Sequence, residues 1–312
     1  MAKRKIAIIG LGKISLDQHL PVIEASDQFE LAAVVSQRGL SHHGLPSFKT
    51  PMDLYKALPE IEVVTINTPP RIRHALAREA LDAGKDVLLE KPPAATLSEF
   101  ADLKTQAEKL DRVLFATWHS QYNPAVDATK ALLADIGVDK LSIHWREDVR
   151  KWHPGQDWVW QPGGFGVFDP GINALSILVR ILPFSPFVHQ AELTYPANQQ
   201  TPIAASIIFS SADPSNPALT AEFDWREQGQ EIWQILIDLK DGRKAKLVQG
   251  GATLWIDETT VVDAPKEEYR RIYDHFANLL NERQSDADGT PLTLIADAML
   301  IGERHTTTSF NW

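Results

Sequence analysis

The sequence predicts an α/β fold: an N-terminal Rossmann domain with a doubly wound parallel sheet, then a C-terminal α+β domain with an open, mostly antiparallel sheet. Three observations predict it. The chain opens on a buried β run, Ile6-Ala7-Ile8-Ile9, followed at once by Gly10-Leu11-Gly12-Lys13-Ile14-Ser15. Short apolar runs then alternate with helical patterns, as parallel strands with crossover helices do. Past residue 120 the runs lengthen, alternate in polarity and follow one another without helices, which predicts antiparallel pairing. The expected domains are 1–120 and 121–312.

Composition narrows the function. The 312 residues are 44% hydrophobic and 23% charged, ordinary for a soluble protein. A formal net charge of -10 without a basic block argues against a nucleic-acid partner. No apolar run has membrane length. Lys3, Arg4 and Lys5 imitate the start of a signal peptide, but the apolar run after them stops at Gly10. Cysteine is absent, which removes thiolate ligands and nucleophiles and fits a cytoplasmic location. His42-His43, His119 and His153 have no ligand spacing, so no metal is expected.

The first strand and its glycines form a variant dinucleotide fingerprint, G-x-G-x-x-S. Gly10 permits a tight turn, and Gly12 lets the backbone, with Lys13 and Ile14, approach a pyrophosphate at a helix N-terminus. The second strand, Leu31 to Val35, ends in Ser36-Gln37-Arg38. An NAD site usually carries a carboxylate there; a hydroxyl and a guanidinium suit a 2′-phosphate. NADP is therefore the preferred cofactor, with NAD also accepted.

The alternation continues through a helix at Met52–Leu58 and a strand at Val63–Ile66 that ends in Asn67-Thr68-Pro69-Pro70. A helix from His74 to Ala83 stops at Gly84, and a strand from Val87 to Leu89 ends in Glu90-Lys91-Pro92-Pro93. The two prolines cannot extend a central strand, and the Lys91-Pro92 bond is open to the cis form. Thr96-x-x-Glu99 is a capping box for a helix reaching Leu110. A last strand, Val113 to Ala116, ends in Thr117-Trp118-His119. Thr68, Lys91 and His119 thus stand at strand ends on one rim. Thr68, Pro69, His74, Glu90 and Lys91 join the glycine loop as cofactor-binding candidates.

In the second domain a helix at Pro124–Leu133 precedes a strand with Leu141, Ile143, Trp145, Glu147 and Val149 on one face. Glu147, an acid on that apolar face, either lines a pocket or lies where the strand leaves the core; the pocket reading makes it a substrate-binding candidate. Strands follow at Ala191–Tyr195, Ile203–Ser210, Leu219–Trp225, Trp233–Leu239, Ala245–Gln249 and Thr253–Ile256, and helices at Glu267–Asn281 and Leu292–Thr306. Arg150 to Trp160 holds Trp152, His153 and Gln156; aromatic faces with planar polar groups suit a sugar. Val167-Phe168-Asp169-Pro170 reads as a helix start with Asp169 at the N-cap, and Asn173 lies one turn on, on the same face.

Gly10-Leu11-Gly12, Glu90-Lys91-Pro92 and Asp169-x-x-x-Asn173, in that order, resemble the Gfo/Idh/MocA oxidoreductase family over the whole chain. Within it the chain is most similar to the bacterial L-arabinose and D-galactose 1-dehydrogenases. Asp17-Gln18-His19-Leu20-Pro21, Ala116 to Ser120, Trp152 to Gln156 and Val167 to Ser176 carry that likeness. The resemblance implies NAD(P)-dependent oxidation of the C1 hydroxyl of a pyranose aldose to its lactone, and a sheet that mediates homo-oligomers. It also implies that Lys91 takes part in catalysis. Many members carry His four residues after the Asp; here it is Asn173, which cannot relay a proton. Proton transfer then falls to Lys91 or Asp169 as a coupled pair, with Asn173 orienting the sugar and His119, Glu147, Trp152 and His153 reading its hydroxyls. Another polyol or sugar as substrate, or a non-catalytic NADP-binding sensor, are the alternative readings.

Overall fold

In the computed structural model, which describes Lys3–Trp312, the five expected N-terminal strands join a short sixth in one parallel sheet. They are β1 (Arg4–Ile9), β2 (Phe29–Val35), β3 (Ser47–Phe48), β4 (Val63–Ile66), β5 (Asp86–Leu89) and β6 (Leu114–Ala116). The order is β3-β2-β1-β4-β5-β6. It reverses between β1 and β4, so the glycine loop after β1 stands where open α/β sheets bind ligands. Both faces of the sheet are covered: Ile6, Ile8, Val63, Val64 and Val87 to Leu89 are fully buried. That double coverage is why these strands read as continuous apolar runs.

A π-helical turn, Ser15–His19, runs into α1 (Leu20–Ala25). The helices α2 (Pro51–Ala57), α3 (Pro70–Asp82) and α4 (Leu97–Lys109) follow. α3 starts at Pro70, four residues before the expected His74, because proline is favoured at a first helical position. The capping box of α4 forms: Glu99 N donates to Thr96 Oγ1 at 3.2 Å, and Thr96 N to Glu99 Oε2 at 3.2 Å. Such a cap is worth about 1 kcal/mol. The Lys91-Pro92 peptide is cis.

The first compact unit comprises residues 1–118 together with 269–289, so the expected division near residue 120 is supplemented by a return of the chain. The returning helix, Glu268–Glu282, buries Ile272, Tyr273, Phe276 and Leu280. Phe276 stacks on Phe29 at 6.0 Å, and Phe115 lies 5.8 Å from it. Each such side chain contributes about 1.5–3 kcal/mol on burial, against about 0.6 kcal/mol of extra closure entropy per doubling of loop length. Asp286 then pairs beside β6: Ala116 N donates to its carbonyl at 2.9 Å, which covers that sheet edge.

The second unit, residues 119–268 and 290–312, is built on a nine-stranded sheet. Its strands are β7 (Val138–Arg146), β8 (Phe187–Pro196), β9 (Ala204–Ser210), β10 (Ala218–Asp224), β11 (Ile232–Leu239), β12 (Lys244–Val248), β13 (Thr253–Ile256), β14 (Thr259–Asp263) and β15 (Glu303–Thr307). Its helices are α5 (Val126–Ile136), α6 (Val149–Trp152) and α7 (Phe168–Ile181); α8 is the returning helix Glu268–Glu282, and α9 (Thr290–Ile301) follows it. Most pairings are antiparallel, but β7 pairs in parallel with β10, and β8 with β15. Leu141, Ile143, Trp145 and Glu147 are buried as the alternation predicts. The strand itself ends at Arg146, so Val149 opens α6 instead of continuing it.

Two expectations are corrected. The last helix does not reach Thr306: α9 stops at Ile301, and β15 adds to the sheet edge. Its β-branched Thr306 and Thr307 suit a strand, and Gly302 lies at the break, where a Cβ would come within 2.5 Å of the Ala298 carbonyl. Asp169 does not cap α7 either. The turn before the helix already bonds Phe168 N to Phe165 O and Asp169 N to Gly166 O, so α7 begins at Phe168 with Val167 at its N-cap.

Candidate functional site

Two groups of polar side chains stand out, one in each unit. In the first, the glycine loop is closed by short-range bonds. Gly10 has φ +99°, and a Cβ there would come within 2.8 Å of Thr68 Cγ2. A Cβ on Gly12 would meet nothing within 4 Å, so its backbone faces open space. Ser15, at the third small position, is buried. Its hydroxyl donates to Gly10 O at 2.6 Å and accepts from Asn67 Nδ2 at 2.9 Å. It therefore ties β1 to β4. Lys13 and Ile14 are solvent-exposed, and Lys13 pairs with Asp17. Thr68 Oγ1 is buried without a protein hydrogen bond beside this loop. The open face of Gly12 and that hydroxyl fit a nucleotide phosphate group.

Arg38 reaches back to the same loop, its Nη2 donating to Leu11 O at 3.3 Å. Ser36 is buried, and its Oγ accepts from Leu40 N at 3.3 Å. Gln37 and Pro69 are exposed. Arg38 and Ser36 thus bracket the end of β2 next to the glycine loop, where a ribose 2′ substituent would be read.

His74 is the cofactor candidate that this unit places elsewhere: its Nε2 lies 2.8 Å from Asp102 Oδ2, on α4, and Arg78 binds the same carboxylate. The neighbouring Arg73, missed in the sequence, is the buried one. Its guanidinium donates to the carbonyls of Thr68, Glu90 and Pro92, joining the ends of β4 and β5.

Glu90 is also turned inward. Tyr269 Oη donates to its Oε1 at 2.7 Å, Nε2 of His19 lies 3.1 Å from the same oxygen, and Lys91 N donates to Oε2 at 2.9 Å. Nδ1 of His19 lies 2.7 Å from Tyr273 Oη, and burial pushes that phenol's pKa up. Glu90 therefore fixes the backbone at Lys91. The residues that hold it, His19 and Tyr269, come from a π-helical turn and from a helix about 180 residues away, which also supplies Tyr273 as the partner of His19. His19 alone had a sequence signal, in Asp17-Gln18-His19-Leu20-Pro21.

In the second unit Glu147 is 6% exposed. Trp225 Nε1 donates to its Oε1 at 3.1 Å and Trp233 Nε1 to its Oε2 at 2.9 Å. Burial pushes its carboxyl up to about 7, against the two indole N–H groups and nearby His153, which lower it. Asp169 adds a smaller upward push. Nε2 of His153 lies 3.1 Å from Asp169 Oδ2. Trp158 Nε1 donates to Gln156 Oε1 at 3.0 Å, and that oxygen faces His153 Nδ1 at 3.4 Å. The ring stands edge-on to Trp225, 5.3 Å between centroids. Gly164 lets this loop close: a Cβ there would lie 2.2 Å from Trp158 O.

Glu147, His153 and Asp169 are thus brought together. Asn173 follows one turn after Asp169 on α7, half-buried. Trp152 joins at the edge, its ring 5.7 Å from Trp233 and its Nε1 donating to Glu231. His119 is engaged elsewhere: its Nδ1 lies 3.7 Å from Glu268 Oε1, which also accepts from Asn123 Nδ2 at 2.7 Å. Burial would raise the Glu268 carboxyl, but the bond and charge of His119, the charge of Lys266 and the Asn123 hydrogen bond together leave it lowered. Trp225 and Trp233 were legible only as strand residues; the count of nine Trp was the available signal.

The signature of the oxidoreductase family with an NAD-binding Rossmann fold, Gfo/Idh/MocA, matches residues 4–117. The galactose 1-dehydrogenase of Pseudomonas fluorescens is 42% identical over 308 residues, 98% of each chain. The chain belongs to the Gfo/Idh/MocA family. A crystal structure of a D-galactose-1-dehydrogenase from Rhizobium etli superposes with a TM-score of 0.95 at 46% identity, covering 100% of this chain and 99% of that one. A 3-ketoreductase from Actinomadura kijaniata solved with NADP shares the fold, with a TM-score of 0.82 at 14% identity over 98% of this chain and all of its own. The family signature covers the glycine loop through Lys91. The Glu147, His153 and Asp169 group lies outside it, within the reach of the full-length relatives.

Proposed function

We propose that this Gfo/Idh/MocA oxidoreductase is an NAD(P)-dependent aldose 1-dehydrogenase, oxidising the C1 hydroxyl of D-galactose, L-arabinose or a similar pyranose to the aldonolactone, with NADP preferred. The carrying observation is the Glu147 carboxylate, gripped by two indole N–H groups beside the His153–Asp169 pair. Buried carboxylate oxygens accept sugar hydroxyls, and tryptophan faces cover the C–H surface of a ring. The near-complete match to galactose 1-dehydrogenase supports the substrate class.

Bound NADP⁺ supplies the hydride acceptor. The chain supplies the rest. Gly12 and Thr68 hold phosphate, and Ser36 and Arg38 read the 2′-phosphate. Glu90, locked by His19 and Tyr269, sets the position of Lys91. The proton leaving the C1 hydroxyl is assigned to Asp169 or Lys91. Asp169 is a carboxylate 3.1 Å from one nitrogen of an imidazole whose other nitrogen also faces an acceptor. His153 can therefore steady the charge on Asp169 while the C1 hydroxyl proton leaves and the C1 hydrogen departs as hydride. Asn173 orients the sugar by donating and accepting. The outward face of the nine-stranded sheet, where Ile208 is exposed, is the surface we assign to a homo-oligomer.

An aldose panel, read by NAD(P)H formation with each cofactor in parallel, tests this reading. Turnover with D-galactose and L-arabinose and a higher kcat/KM with NADP⁺ are expected. Tight NADP⁺ binding without turnover on any aldose would instead support a non-catalytic sensor.

A further inference from the structure

A donor cluster that sequence spacing hides lies in the loop after β2. One donor atom each from Glu24, His42 and His43 lies within 4.8 Å of the others, with Glu24 supplied by α1. Nε2 of His42 is 2.7 Å from Glu24 Oε1. Successive side chains of an extended segment point to opposite sides. Here His43 has φ +43°, and the two imidazoles come to 4.0 Å between centroids. The loop is held by its own bonds: Leu45 N donates to His42 O at 2.9 Å, and Ser47 Oγ to Leu40 O at 2.7 Å. The His42 side chain is 14% exposed and the Glu24 side chain 47%, so the cluster opens to solvent on one side.

We propose that Glu24, His42 and His43 form a binding site for a late first-row divalent metal ion such as Zn²⁺ or Co²⁺, with water completing its shell. Two imidazole nitrogens and one carboxylate oxygen suit these ions; Mg²⁺ and Ca²⁺ take oxygen donors. Bonds of about 2.0–2.2 Å put the donors of a tetrahedral ion about 3.3 Å apart. The His42–Glu24 contact opens by a fraction of an ångström to reach that spacing, and the longer separations close. An imidazole binds a metal ion only without its proton on the ligating nitrogen, so affinity falls as pH is lowered. Hydride transfer needs no such ion, and this site carries no step of the proposed reaction.

Untagged full-length protein is titrated with Co²⁺ alone, followed by visible absorption, and with Zn²⁺ alone, followed by calorimetry. One ion per chain, the absorption of a four-coordinate Co²⁺ and weaker binding at pH 6 than at pH 8 are expected. H42A and H43A should each weaken binding by at least about tenfold, since losing even an outer-shell partner costs about 10–100-fold. E24Q should weaken it as well. His43 is exposed, so H43A carries the test if H42A does not fold. Absence of saturable binding, or unchanged affinity in H43A, overturns the proposal.

Discussion

Glu147 concentrates the pH dependence of the molecule. Its folded carboxyl titrates near 7 rather than 4.5, because burial opposes the charge. The folded state therefore holds the proton more tightly than the unfolded chain. Ionising Glu147 lowers stability as pH rises from about 4.5 to about 7, by on the order of 3 kcal/mol. In E147Q that loss is absent, so its urea midpoint relative to the parent should be higher at pH 8 than at pH 5; a constant difference would show that Glu147 is not the titrating group. The proposed sugar binding at Glu147 runs the other way, since the ionised carboxylate would be the better acceptor. kcat/KM should climb through pH 7 in the parent, and that limb should vanish in E147Q. At Lys91, truncation to Ala should lower kcat by roughly 10²–10⁴-fold. Near-normal turnover in that variant would leave the proton with Asp169.

At the scale of elements, β1, β4 and β5 were legible because their buried apolar runs stop sharply at Gly10, Asn67 and Glu90. The capping box of α4 was legible because it is local. What was missed depends on partners distant in sequence. β15 was read as helix because Glu303 to Thr307 carries no alternation; only pairing with β8 makes it a strand. Asp169 looked like a cap because Asp-Pro is a good helix start, whereas the glycine turn before it had already begun α7 at Phe168. Arg73 was missed for a similar reason: the start of α3 at Pro70 fixes which of two adjacent basic residues faces inward. The Glu90 support was invisible because Tyr269 lies 179 residues away. Y269F removes one donor from Glu90 Oε1 while keeping the ring. We expect a several-fold lower kcat with little change in sugar KM, because the effect passes through the position of Lys91; a raised KM with unchanged kcat would contradict that role.

For the whole molecule, the fold class and family were readable from the ordered motifs, and the full-length match to galactose 1-dehydrogenase agrees with them. In the proposed reading, cofactor choice rests on Ser36 and Arg38. Removing a hydrogen bond to a charged group costs about 1.5–3 kcal/mol. Equilibrium titration of R38A should therefore show NADP⁺ binding weakened by about ten- to a hundredfold, with NAD⁺ binding nearly unchanged; equal losses for both would place Arg38 on the shared part of the nucleotide. The central claim concerns the carbon that is oxidised. Turnover of D-galactose deuterated at C1 tests it most directly. Deuterium should appear at C4 of the reduced nicotinamide, with D-galactonolactone as product. Reduced cofactor free of deuterium would place oxidation at another carbon and contradict the account.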